Sequence, residues 1–437
     1  MLNVITQTFS IPDFEKNVTS EKTMNNIKSL RKPHQKSLWS DPHAHMEVLI
    51  YIMVATLMAI YYDYLTLGEL RAYLQYNNIT LSFMHTKYNI DVVNETRTII
   101  KGNHESDKKY ILEDEYQKRM GGIFFMNSSL ERTNATYIDL MYVYVCAFGG
   151  CVQSDGKIYL PERDRIFLKL GEAGQVVGYY EHVVASGNRW AAMYAHWMYD
   201  CVAYLLFIPE EIRKKSVFLL PVNSTIYSEA VETLGFNKSL GQILYLNSSQ
   251  WVFARHFHTV YTPESIHGCM IWAVHELGRK WKELYGLNAT VPTDYALYNR
   301  PYGNRYIIEF DDFCYSIQMR FPEYRWIKLQ TLYPTFKESV IAYSHVKLLF
   351  APAGSNWANV IFMNKNTAAV CAMADTNDIP VLAVCEVMNI WLSTFPIPGM
   401  RHHGGVSGKM DFEIAIKAVQ KALFALDHGR WPTTTEI

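Results

Sequence analysis

Three short segments of this 437-residue chain carry side chains whose types and spacing could do chemistry. In the first, His196 and Asp200 stand four positions apart, which in a helix puts imidazole and carboxylate on one face. Such a pair can take the proton from an attacking hydroxyl; on an apolar helix it also suits a structural hydrogen bond. In the second, Arg300 and Arg305 flank a Pro- and Gly-containing turn. Two planar guanidinium forks at that spacing suit a diphosphate, whose departing charge they would stabilise, while a solvated turn fits the same residues. In the third, the run from Phe350 through Pro352, Gly354, Ser355, Asn356 and Asn359 reads as a strand ending in a small-residue turn that opens a helix. Backbone N–H groups there can face an anion.

The elements that must position these groups follow from periodicity. Helices are expected over 189–208, 225–234, 268–285, 335–344, 357–362 and 411–426, and strands over 216–220, 242–246, 306–308, 324–329, 347–351 and 368–371. Alternation of short apolar strands with helices predicts parallel sheets covered by helices. Two doubly wound halves, 131–286 and 287–427, would leave a ligand crevice at the carboxyl ends of their strands. The helix over 411–426 closes the second half. Residues 68–130 read as a stem passing into the first domain, and the adjacent Asp311 and Asp312 read as a helix start rather than a metal pair.

Bulk composition agrees with two filled cores: 49% of residues are hydrophobic and 14% aromatic. A formal net charge of −1 gives no electrostatic footprint for nucleic acid. Residues 1–45 are polar and lysine-rich. The apolar run VLIYIMVATLMAIYY that follows gives a span over 46–67, close to the length a membrane helix needs. Positive charge on its amino side orients it as a type II anchor with the tail in the cytosol and the body lumenal; a buried helix is the alternative for a run this short. Asn-x-Ser/Thr triplets beyond it, at Asn78, Asn94, Asn127, Asn134, Asn223, Asn237, Asn247 and Asn288, suit a glycosylated lumenal body. The seven cysteines are scattered; Cys146 and Cys151 are the closest candidates for a disulfide, and buried thiols are the alternative.

In this order and at these separations, the segments resemble glycosyltransferase family 61, the family of plant β-1,2-xylosyltransferase and extracellular O-GlcNAc transferase. The likeness runs over 180–426. It rests on His196 and Asp200, the stretch from Tyr227 to Gly235, Val252 to Arg255 leading to Tyr261 and Pro263, Arg300 and Arg305, and Pro352-x-Gly354-Ser355-x-x-x-Asn359-x-x-Phe362. The resemblance implies a GT-B fold, with two Rossmann-like domains facing a cleft. It further implies inverting transfer from a UDP-sugar to a glycan or glycoprotein, no cofactor or metal essential to the chemistry, and residence in the Golgi or endoplasmic reticulum membrane. Arg300 and Arg305 would hold the donor diphosphate. Gly354, Ser355, Asn356 and Asn359 would shape the nucleotide turn, with Asp200 and His196 beside the acceptor and Asp200 as base. Ala353, Glu309 and Ala372 depart from the family pattern, where His, Asn and Glu are common. The rival expectation is therefore a silent relative that binds a glycan or nucleotide or scaffolds a partner.

Overall fold

The computed structural model describes residues 95–103, 108–112, 132–153, 158–159, 175–188, 190–261, 271–301, 305–376, 378–402 and 406–437. The described residues all fall within one compact unit of the chain, Leu67–Ile437. The expected tail over 1–45 and anchor over 46–67 lie outside the described residues. Among the described residues, no helix is long and apolar enough to cross a membrane.

The body is a mixed α/β structure. Its first sheet comprises β1 (Glu95–Asn103), β2 (Arg132–Val145), β3 (Cys151–Gln153), β4 (Ile158–Tyr159), β5 (Gln175–Val184), β6 (Val217–Leu220), β7 (Ile243–Tyr245) and β8 (Gln250–Tyr261). Their spatial order is β4-β3-β2-β8-β5-β6-β7, with β1 also on β2. β2 runs antiparallel to β1, β3 and β8, whereas β8, β5, β6 and β7 are parallel. The parallel strands expected from βαβ alternation are present as β6 and β7 beside β5 and β8, and an antiparallel part built on β2 makes the sheet a mixed one. The reason is visible in β2: Ile138 and Leu140 are buried on one face, and Tyr137 and Asp139 are half-buried on the other. That period of two suits an antiparallel strand and carries no crossover helix.

Between β5 and β6 lies the segment with His196 and Asp200. The single helix expected over 189–208 is instead an α-helical turn α1 (Tyr194–His196), a π-helical stretch Trp197–Val202 and a 3-10 stretch Ala203–Phe207. It is followed by α2 (Glu210–Lys215), and α3 (Thr225–Glu232) then starts from the Ser224 hydroxyl, which accepts from Tyr227 N–H. α4 (Ile271–Leu284) leads to the second half.

There β9 (Asp294–Leu297), β11 (Trp326–Lys328), β12 (Val346–Pro352), β13 (Ala368–Met373) and β14 (Trp391–Pro396) form a parallel sheet in the order β11-β9-β12-β13-β14. β10 (Ile307–Ile308) pairs apart with β15 (Gly408–Lys409). One face carries α5 (Phe310–Arg320) and α8 (Phe412–His428); the other carries α6 (Phe336–Ser344), the 3-10 helix Ser355–Phe362 and α7 (Ile379–Val387). Thr335 and Glu338 form a reciprocal capping box on α6. This half is doubly wound, as expected. One continuous core joins Phe218 and Val260 of the first sheet to Leu349 and Cys371 of the second through the helices between them.

The expected Cys146–Cys151 pairing is corrected. Cys151 stands opposite Val145, so Cys146, one residue on, points to the other face of the sheet. The six described cysteines are buried thiols.

Candidate active site

In an open sheet of this order, chain direction across the sheet reverses between β9 and β12, and the crevice outside their carboxyl ends is where ligands bind. β9 runs out through Tyr298 and Asn299 into Arg300; β12 runs out through Ala353 into Gly354. Arg300 and Gly354 therefore meet because of strand order. The Asn299 side chain holds the arginine loop shut. Its Oδ1 accepts from Arg300 N–H and Ile307 N–H, each at 3.0 Å, and its Nδ2 donates to Ile307 O at 2.9 Å.

Gly354 has φ 147° and ψ −172°, a conformation open to glycine alone. A Cβ there would overlap Arg300 Nη1 and lie 3.2 Å from Arg305 Nη2, so both guanidiniums reach the same point above the glycine. Arg300 Nη1 also donates to Ala353 O at 3.4 Å. Burial, then the neighbouring Arg305 charge, pushes Arg300 down to about 10; burial likewise lowers Arg305. Two partly buried like charges favour an anion between them. Arg305 adopts a left-handed backbone, φ 54°. Its Nη1 donates to His402 Nδ1 at 3.2 Å, Asp378 Oδ2 lies 3.8 Å away, and its buried Nε has no partner among the described residues.

Ser355, half-buried, opens the 3-10 helix beside Gly354. Asn356 and Asn359 turn inward. Asn359 Nδ2 donates to Asn356 Oδ1 at 2.8 Å, Asn356 Nδ2 to Tyr343 Oη at 2.6 Å, and Tyr194 Oη to Asn359 Oδ1 at 2.8 Å. These amides give the turn its shape through protein bonds, and Tyr194 ties α1 to the same turn. Tyr199 Oη adds a bond to Trp357 O at 3.1 Å. Burial holds both phenols well above their ordinary pKa, so they remain donors.

His196 and Asp200 do meet: Nδ1 and Oδ2 are 2.7 Å apart, with side chains 17% and 12% exposed. The pair is half-buried and reachable, as proton transfer to or from a substrate requires. The Trp190 ring stacks on His196 at 5.9 Å and is itself 38% exposed.

Of the departures, Ala353 N–H donates to Ala372 O at 2.9 Å, and the two methyls enter separate cores on opposite faces of the sheet. Glu309 points away to Lys409 at 3.0 Å on the surface. Asp311 and Asp312 occupy the first turn of α5, with Asp311 bonded to Lys328 at 2.6 Å. Asn223, Asn237, Asn247 and Asn288 are all exposed, Asn134 lies in β2, and Asn78, Asn94 and Asn127 fall outside the described residues. Sequence reasoning did not single out His402, Asp378 or Tyr194 as parts of the site. The run Arg401-His402-His403 before two glycines was the available signal for the first.

Residues 194–370 match the family model described as Glycosyltransferase 61. That span holds the His196–Asp200 pair, both arginines and the glycine turn. No curated protein matches the chain.

Proposed function

We propose that this chain, a nucleotide-sugar-dependent glycosyltransferase that carries a family 61 segment over 194–370, uses a UDP-sugar and transfers the sugar with inversion to a glycan or glycoprotein hydroxyl. The observation that carries this reading is the point above Gly354 reached by both Arg300 and Arg305. A diphosphate seated against these two partly buried guanidiniums neutralises them, and they in turn stabilise the charge that grows on the departing nucleotide. Because the two guanidiniums supply that positive charge, the chemistry needs no divalent cation.

The acceptor hydroxyl is activated by the His196–Asp200 pair. With Nδ1–H donated to Asp200, the imidazole carries its lone pair on Nε2, so in place of Asp200, the base expected from the sequence, His196 takes the proton and Asp200 orients it. As the hydroxyl oxygen attacks the anomeric carbon, its proton passes to His196 and the bond to the nucleotide phosphate breaks. Attack opposite the leaving group inverts the centre. Trp190, exposed beside the dyad, offers an aromatic face to the acceptor sugar.

In this reading the two α/β halves form a GT-B-like pair. The protein is a single-pass type II protein of the Golgi or endoplasmic reticulum, anchored by residues 46–67. Its lumenal body is glycosylated at exposed asparagines such as Asn223, Asn237, Asn247 and Asn288. The small, buried Ala353 and Ala372 favour a second reading, a silent relative that binds nucleotide or glycan without transfer.

Acceptor-stimulated nucleotide release decides between the two, using a panel of UDP-sugars with Arg305→Ala and Asp200→Asn as controls. Release from one donor, lost in both variants, supports the enzyme. Folded protein that binds UDP but releases none from any donor supports the silent relative.

A further inference from the structure

We propose that His402 and Asp378, both beyond the segment matched by the family, are positioning residues of the donor site that aim Arg305 at the diphosphate. The inference rests on the reading of Arg300 and Arg305 given above. Arginine has no lone pair to accept with, so in the 3.2 Å contact Arg305 Nη1 donates and His402 Nδ1 accepts. That contact engages one corner of the guanidinium. The Nε–Nη2 edge, the side-on fork that grips two oxygens of an anion, is left otherwise: Nη2 stands beside the point above Gly354 and Nε has no partner among the described residues.

Asp378 completes the support. It precedes the first turn of α7, where a helix-capping bond would be its ordinary use, yet its side chain makes no cap bond. Its Oδ2 instead lies 3.8 Å from Arg305 and 4.0 Å from His402, with Asp378 and Arg305 side chains each 11% exposed. His402 is fixed from behind, because its N–H donates to Asp375 Oδ1 at 2.7 Å and Asp375 N–H donates to Met400 O at 3.1 Å. The turns after β13 and β14 thus brace an arginine that follows β9. Among the described residues, the Asp378 carboxylate faces both guanidiniums.

The account makes His402 act through Arg305, which a double-mutant cycle on UDP affinity tests directly. Calorimetric titration of the full chain with UDP would compare wild type, Arg305→Ala, His402→Phe, His402→Asn, Asp378→Asn and Arg305→Ala/His402→Phe. His402→Phe is expected to weaken UDP by about tenfold, and Asp378→Asn by a similar factor. His402→Asn, whose Oδ1 can accept where Nδ1 did, is expected to retain most of the affinity. His402→Phe is expected to add nothing once Arg305 is alanine. Equal weakening in both backgrounds, or His402→Phe within twofold of wild type while Arg305→Ala binds poorly, would overturn the proposal. Failure of the donor-site reading shows separately, as wild type and Arg305→Ala binding UDP alike.

Discussion

The Tyr194 hydroxyl donates to Asn359 Oδ1 at 2.8 Å across 165 residues of sequence. Tyr194 stands two positions before His196, and Asn359 sits on the helix that Gly354 opens. One hydrogen bond therefore fixes the distance between the proposed base and the proposed diphosphate turn. Tyr194→Phe should cost about 1 kcal/mol of stability or more, since it leaves a buried carboxamide oxygen unsatisfied. It should also lower kcat for transfer more than it raises KM for the donor, because alignment is what is lost. Steady-state kinetics at saturating donor would show this; unchanged kcat in a destabilised variant would make the bond purely structural.

Gly354→Ala should abolish UDP binding. The methyl would occupy the point that both guanidiniums share, in a backbone conformation that costs a non-glycine residue about 1–3 kcal/mol. Calorimetry paired with a thermal melt separates the two effects. UDP binding at wild-type strength in the folded variant would place the diphosphate elsewhere.

Stability should depend on pH through His258. This ring is 1% exposed, bonded to Tyr137 Oη at 2.7 Å and His182 Nδ1 at 3.0 Å, and faced by Asp139, His256, Lys215 and, across Tyr137, Glu211. Burial, then His182, His256 and Lys215, pushes it from 6.5 to about 3. Between those values the unfolded chain takes up a proton that the folded chain refuses, so stability falls as pH drops. The loss should be about 3 kcal/mol between roughly pH 7 and pH 4. Urea unfolding at several pH values would measure it, and His258→Asn should flatten the dependence; an identical slope in the variant would remove His258 as the cause.

Glu309→Asn should leave transfer within about twofold of wild type and raise stability by about 1 kcal/mol or less. Glu309 holds a left-handed backbone, φ 60°, that asparagine tolerates better, and its exposed ion pair with Lys409 contributes little. A large change in donor KM would show that this position does reach the donor site.

In the second sheet β11, β12 and β13 were legible in the sequence as short apolar runs, such as Ala368–Met373, whereas β14 went unread and the run over 306–308 is β10, outside that sheet. α7 was not legible, because Ile379–Val387 is apolar but for Glu386 and carries no helical period. The antiparallel half of the first sheet escaped for a related reason: its long strands alternate, and alternation does not tell which partner a strand takes. The arginine pair and the glycine turn stood out by residue type and spacing, and their donor-site roles came from the resemblance. His402 could not be joined to Arg305, since 97 residues separate them and only the order of strands brings them together.

The crystal structure of the complex with UDP tests the central claim most directly. The account predicts the diphosphate at the carboxyl ends of β9 and β12, with phosphate oxygens bonded to both Arg300 and Arg305. A diphosphate bound away from the carboxyl ends of β9 and β12, touching neither guanidinium, would contradict it.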